Sequence, residues 1–106
     1  LRTLIRITPD IEKANAAIAG GDIGRMIQQT MEKLQPEAAY FFADGGKRTM
    51  TFVYDMADQS EIPVIAEPWF MELNAKVEFF PCMNAEDLKL GLDKISTSKE
   101  YAGSGV

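Results

Sequence analysis

Residues 37–55, EAAYFFADGGKRTMTFVYD, constrain the fold more than any other stretch of this chain. Two runs rich in aromatic, Thr and Val residues flank Asp44-Gly45-Gly46, a turn signal that predicts a β-hairpin. The turn length decides which side chains meet. A two-residue turn puts Ala39 and Phe41 on one face with Met50, Phe52 and Tyr54. Tyr40 and Phe42 then share the opposite face with Thr49, Thr51 and Val53. A three-residue Asp44-Gly45-Gly46 loop would shift the register. The first pairing is preferred because it collects Met50 and Phe52 with Phe41.

The flanking segments read as elements that pack on this hairpin. Leu1 to Ile7 alternates as a strand, with Thr3, Ile5 and Ile7 on one face and Arg2, Leu4 and Arg6 on the other. Thr8-Pro9-Asp10 marks a helix start, with Thr8 as the cap and Ile11, Ala14 and Ile18 at helical spacing. Gly20-Gly21 interrupts that helix. Asp22 caps a second segment, in which Ile23, Ile27, Thr30, Met31 and Leu34 form a stripe until Pro36. The whole stretch is thus one broken helix or two joined at the glycines. Ser60 to Asn74 predicts another helix with Ile62, Ile65, Trp69 and Leu73 inward, kinked or restarted at Pro68. Ala75 to Met83 is the last strand, with Pro81 marking an edge or a bulge. Asn84 caps a short final helix carrying Leu88, Leu92 and Ile95.

The order is βαββαβ plus a terminal helix: an α+β, ferredoxin-like split βαβ plan with an antiparallel sheet. Residues 1–95 form the single expected domain, and 96–106 read as a polar, frayed tail. Helices cover the sheet face of Ile5, Ile7, Phe41, Met50, Phe52, Val77 and Phe79. The other face takes Arg2, Leu4, Arg6, Tyr40, Phe42, Thr49, Thr51, Val53, Glu78 and Phe80. That second face is too apolar for open water and too polar for a dry core, which points to an interface. Two copies stacking sheet on sheet would bury it in a homodimer. The competing reading is an ordinary one-sided sheet with scattered aromatics.

Composition removes several classes of function. A net charge of −5 over 106 residues, with scattered basic residues, argues against a nucleic-acid backbone as partner. No apolar run approaches the ~20 residues of a membrane span, and no secretory leader is visible. One cysteine, Cys82, cannot form an internal disulfide and fits a reducing, cytoplasmic setting. The absence of histidine removes the commonest metal ligand, the usual proximal haem ligand and the usual general base. No cofactor and no metal are expected. The glycines of Gly20-Gly21-Asp22-Ile23-Gly24 come after a helix, and Gly45-Gly46-Lys47-Arg48 sits in a tight turn. Neither has the context of a nucleotide-binding loop.

Two local stretches carry a resemblance. AKVEFFPCMNAED, residues 75–87, is similar to the last strand, proline and capped helix of muconolactone-isomerase-like proteins. Glu67-Pro68-Trp69-Phe70 resembles the proline-aromatic end of their second helix. With the element order over residues 1–95, the chain resembles the dimeric α+β barrel superfamily of ferredoxin-like proteins, which includes the antibiotic-biosynthesis monooxygenases. The resemblance implies a homodimer through the sheet face and a pocket between sheet and helices for a small apolar or aromatic ligand. It cannot supply chemistry, because function lies in sites and not in folds. Members that bind haem use a histidine, which this chain lacks.

The candidate pocket residues are Trp69, Tyr54, Phe52, Met50, Glu78 and Arg6. Trp69 would stack on an aromatic ligand, against the plainer reading of a core tryptophan. Tyr40 and Tyr54 would donate to a ligand oxygen, or simply carry their hydroxyls at the rim. Arg2, Arg6 and Glu78 share a face and would hold a carboxylate or supply a proton acceptor; a structural ion pair is the favoured alternative. Asn15 and Asn74 would orient a carbonyl, although Asn74 is more economically a helix C-cap. Cys82 has no neighbour to activate it and reads as inert. The expected function is small-ligand binding. A non-catalytic interaction or regulatory module and a cofactor-independent isomerase or monooxygenase stand as the alternatives.

Overall fold

The computed structural model describes residues 1–97, which form an α+β fold of four strands and four helices. In chain order these are β1 (Arg2–Thr8), α1 (Ile11–Ala19), α2 (Asp22–Leu34), β2 (Ala38–Asp44), β3 (Lys47–Asp55), α3 (Glu61–Leu73), β4 (Lys76–Pro81) and α4 (Ala85–Thr97). The sheet order is β2-β3-β1-β4, and every neighbouring pair is antiparallel. This arrangement is compatible with a ferredoxin-like fold. Ser96 and Thr97 belong to α4 rather than to a tail; the remaining polar residues, 98–106, lie outside the described residues.

The hairpin closes through a two-residue turn, with Asp44 opposite Lys47. Gly45 and Gly46 have φ of 60° and 78°. Both values lie in the left-handed region, where a Cβ is penalised, so the glycine pair is what allows the tight connection. The resulting register sets Phe41 opposite Met50 and Ala39 opposite Phe52. On the other side of β3, Phe52 faces Ile5 and Met50 faces Ile7. The preferred hairpin pairing is the one observed, and it places one apolar row across the sheet.

Helices α1 to α3 cover that row on β1 and β3, but not at its β2 end: Phe41, expected under the helices, is 54% exposed because no helix reaches over the outer part of the edge strand. Ile5, Ile7 and Phe52 are fully buried and Trp69 nearly so, in one cluster with Met26, Leu34, Met50, Tyr54, Ile65 and Leu73. Each such side chain contributes about 1.5–3 kcal/mol by leaving water. Thr3 completes the β1 row, its hydroxyl donating to the Leu1 carbonyl at 2.9 Å.

Several local expectations are corrected. The cap of α1 is Asp10 rather than Thr8: its carboxylate accepts from the Lys13 N–H at 3.1 Å. Ala14 and Ala17 face the core, while Ile11 and Ile18 are exposed, because the small residues allow α1 to lie close to its neighbours. The glycine break yields two separate helices. Gly21, at φ 79°, is the N-cap of α2, and Asp22 lies in its first turn. Pro68 does not end α3. The carbonyl its ring deprives of a donor is that of Val64, on an exposed turn where water can serve. Asn74 ends α3 at φ 45° with its N–H on the Trp69 carbonyl, as a C-cap should. Finally, α4 is not short: at 13 residues it equals α2 and α3.

α4 is also the one helix that covers neither face of the sheet. Leu88, Leu90, Leu92 and Ile95 are 39–61% exposed. The molecule measures 60 × 29 × 19 Å with a radius of gyration of 17.9 Å, against about 13 Å for a compact chain of this length.

Candidate functional site

The sheet separates the six expected pocket residues onto two faces. Met50, Phe52, Tyr54 and Trp69 lie together in the buried cluster under the helices. Arg6 and Glu78 lie on the opposite, open face.

On the covered side the polar groups already have partners. The Trp69 indole N–H donates to Thr30 Oγ1 at 3.1 Å, and the Thr30 hydroxyl donates to the Met26 carbonyl at 2.9 Å. The chain of two bonds fixes the ring between α2 and α3. Beside it a cavity of about 40 Å³ is bordered by Met26, Thr30, Leu34, Ile65, Pro68 and Trp69. That is room for a water or two, not for an organic ligand. The Tyr54 hydroxyl donates to Glu61 Oε1 at 3.2 Å, and burial together with the Glu61 carboxylate pushes its pKa up to about 12. Glu61 Oε2 accepts from the backbone N–H groups of Ala57 and Asp58 at 3.0 and 2.9 Å, which anchors the loop into α3. Tyr54 is therefore a neutral phenol, held by a fixed carboxylate.

On the open face, Arg6 sits directly across from Glu78 in the β1–β4 register. The pair is bidentate, Nε to Oε1 at 3.0 Å and Nη2 to Oε2 at 3.2 Å. The guanidinium also lies 5.6 Å from the centre of the Phe80 ring, within cation–π range. The hydrogen bonds from Arg6 hold the Glu78 carboxyl below its ordinary range. A carboxylate stabilised in this way is a poor proton acceptor near neutral pH. Arg2, on the same face, donates from Nε to Glu37 at 2.7 Å and pairs with Asp87 at the start of α4. Phe80, beside Arg6, is 40% exposed, and on the same face, across β3, the β2 residues Tyr40 and Phe42 are 67% and 45% exposed.

A third feature was not visible in sequence. A cleft of about 220 Å³ opens where the end of β4 meets the start of α3. Its walls are Leu1, Thr3, Met56, Ile62, Phe79, Phe80 and Pro81, with the Gln59 amide as a polar group at its rim. Phe79 and Phe80 point to opposite sheet faces, so the cleft wraps the β4 edge and reaches the open face. Sequence reasoning missed it because the residues come from three separate stretches, 1–3, 56–62 and 79–81. The one hint was Pro81, which marks an edge where backbone pairing stops.

Of the remaining candidates, Asn15 accepts from Arg48 at 2.9 Å and Asn74 caps α3. Cys82 is half-buried, and its N–H continues the β4 pairing by donating to the Arg2 carbonyl. Among the described residues no group of three or more His, Cys, Asp or Glu side chains could hold a metal ion. Among them, too, no helix is long and apolar enough to cross a membrane. No family model matches the chain, and no curated protein shows significant similarity to it.

Proposed function

We propose that this protein is a homodimer of the ferredoxin-like, dimeric α+β barrel type that binds a small apolar or aromatic molecule. The ligand site is the cleft between β4 and the start of α3, and the two copies meet through their open sheet faces. One observation carries the ligand reading: a 220 Å³ space walled mainly by apolar side chains, with a single amide at its rim. Apolar walls with few polar groups are the usual make-up of a small-molecule site. The half-apolar open face supports self-association, since it combines Tyr40 and Phe42 on β2 and Phe80 on β4 with an ion pair that is complete within one copy. A two-fold contact can then cover the aromatics without stranding an unpaired charge.

The test is methyl NMR with indole as the probe. Saturable shifts of the Met56 and Ile62 methyl groups are expected, with Phe79→Ala abolishing them. Absence of saturation at those methyls would sink the ligand reading.

A second reading, a non-catalytic interaction module, draws on the filled core around Trp69, where the cavity holds only about 40 Å³. It predicts no saturable shift at either the cleft or the small cavity beside Trp69.

A further inference from the structure

Charge has no place in the cleft between β4 and α3. No charged side chain stands among its walls, and of its two polar ones the Thr3 hydroxyl already donates to the Leu1 carbonyl. Arg2, between Leu1 and Thr3 in sequence, lies on the open face and is occupied by Glu37 and Asp87. The Leu1 amine is held by Asp55 Oδ1 at 2.7 Å and by the Met56 carbonyl at 2.8 Å.

The start of α3 borders the cleft. A helix N-terminus is ordinarily a ready site for an anion, because its first N–H groups lack partners. Here those groups are engaged. The Glu61 N–H donates to the Asp58 carbonyl and the Ile62 N–H to the Gln59 carbonyl, each at 3.1 Å. The third helical position is Pro63, which has no N–H to offer. The loop leading into the helix, DMADQSE over residues 55–61, carries Asp55, Asp58 and Glu61 and neither Lys nor Arg. An anion in the cleft would be desolvated beside these carboxylates with no donor to offset the cost. A cation fares little better. Glu61 has both oxygens on Tyr54 and the Ala57 and Asp58 N–H groups, and Asp58 accepts from the Ser60 hydroxyl. None of the three carboxylates forms a wall.

The volume of about 220 Å³ sets a size as well. A cavity of about 150 Å³ takes benzene, and drug-sized ligands fill about 300 Å³ or more. Two fused rings fall between.

We infer that the cleft selects uncharged, two-ring aromatic molecules bearing one hydroxyl or carbonyl, and that Gln59 is the residue that recognises this group. The inference rests on the ligand site proposed above and narrows it to a class of ligand. An amide offers both a donor and an acceptor, so Gln59 serves either group. It stands exposed at the rim, so the ring enters with its apolar edge first and its polar edge towards water.

Probes of one shape separate charge from size: 2-naphthol, 2-naphthoate and 2-naphthylmethylamine are neutral, anionic and cationic near neutral pH. Titrations followed at the Met56 and Ile62 methyl groups should give the naphthol an affinity at least about tenfold above either charged probe. Unsubstituted naphthalene reads the apolar contribution. In Q59L the naphthol should lose its advantage over naphthalene. In Q59K, which sets an ammonium at the rim, the naphthoate should gain. Gln59 is exposed, so circular dichroism of both variants should stay native. If all four probes fail to saturate, the ligand site and its selectivity fall together. A charged probe that binds as tightly as the naphthol overturns the selectivity alone. An undiminished naphthol advantage in Q59L, or a naphthoate affinity unmoved in Q59K, overturns the assignment of Gln59.

Discussion

The two faces of one sheet are built from interleaved residues of the same strands and could hardly differ more. On β3, Phe52 is wholly buried beneath the helices, while its neighbours Thr51 and Val53 remain half-buried on the other side. The covered face is closed by side chains from α1, α2 and α3. The open face mixes exposed aromatics on β2 and β4 with the Arg6–Glu78 pair. Alternation along a strand sets which residues share a face, but it does not say which face is covered, or by what. Helices from the same chain complete the first face, and the second keeps the composition of a surface awaiting contact.

Substitutions can break this comparison. Phe52→Ala should have the largest effect, destabilising the fold by about 3–5 kcal/mol in chemical denaturation. Thr30→Val removes the acceptor for the Trp69 indole and strands a buried donor, at a cost of about 1–3 kcal/mol. Val53→Thr, half-buried on the open face, should fall within about 0.5 kcal/mol at high dilution. A core-sized loss at Val53 would show that the open face is covered even then.

Two titrations sharpen the contrast at smaller scale. Tyr54 holds its proton more tightly when folded, to about 12, than an ordinary phenol near 10. The folded state thus binds more protons in that window, and stability should fall as pH rises from about 10 to about 12. Tyr54→Phe should flatten that alkaline limb in pH-dependent melting. Glu78 behaves oppositely. Its folded pKa lies below the ordinary value, so its contribution is present above that value and is lost as pH falls through the folded one. Glu78→Gln should flatten the acid limb, by the least of these effects, since the pair is accessible to water.

Much of the fold was legible because local and tertiary signals agree. The Gly45-Gly46 pair, the alternation through residues 47–55 and the caps at Asn74 and Asn84 each name a backbone state that a short window determines. The α1 cap was misread because Thr8 and Asp10 are both good caps; of the stripe Ala14 is buried as expected, but Ala17 announces burial more weakly than the exposed Ile11 and Ile18. For the site, the Arg6–Glu78 pair follows from strand order and parity, and its ion-pair reading was available in advance. The β4 cleft was not, since Thr3, Met56, Ile62 and Phe79 converge only through tertiary packing. Nor could sequence show that Trp69 is already hydrogen-bonded to Thr30, 39 positions away.

The two edges of the sheet also differ in a way that matters before the fold is complete. β4 carries Lys76 near its start and Pro81 at its end, both of which discourage a foreign strand from pairing there. β2, AAYFFAD, has no proline, and no charge before Asp44, and its backbone has a neighbour only in β3. Such a segment is a template for β-aggregation whenever it is left bare. Newly made or refolding chains are therefore most vulnerable along Ala38–Ala43, and crowding at that stage favours wrong pairing over native folding.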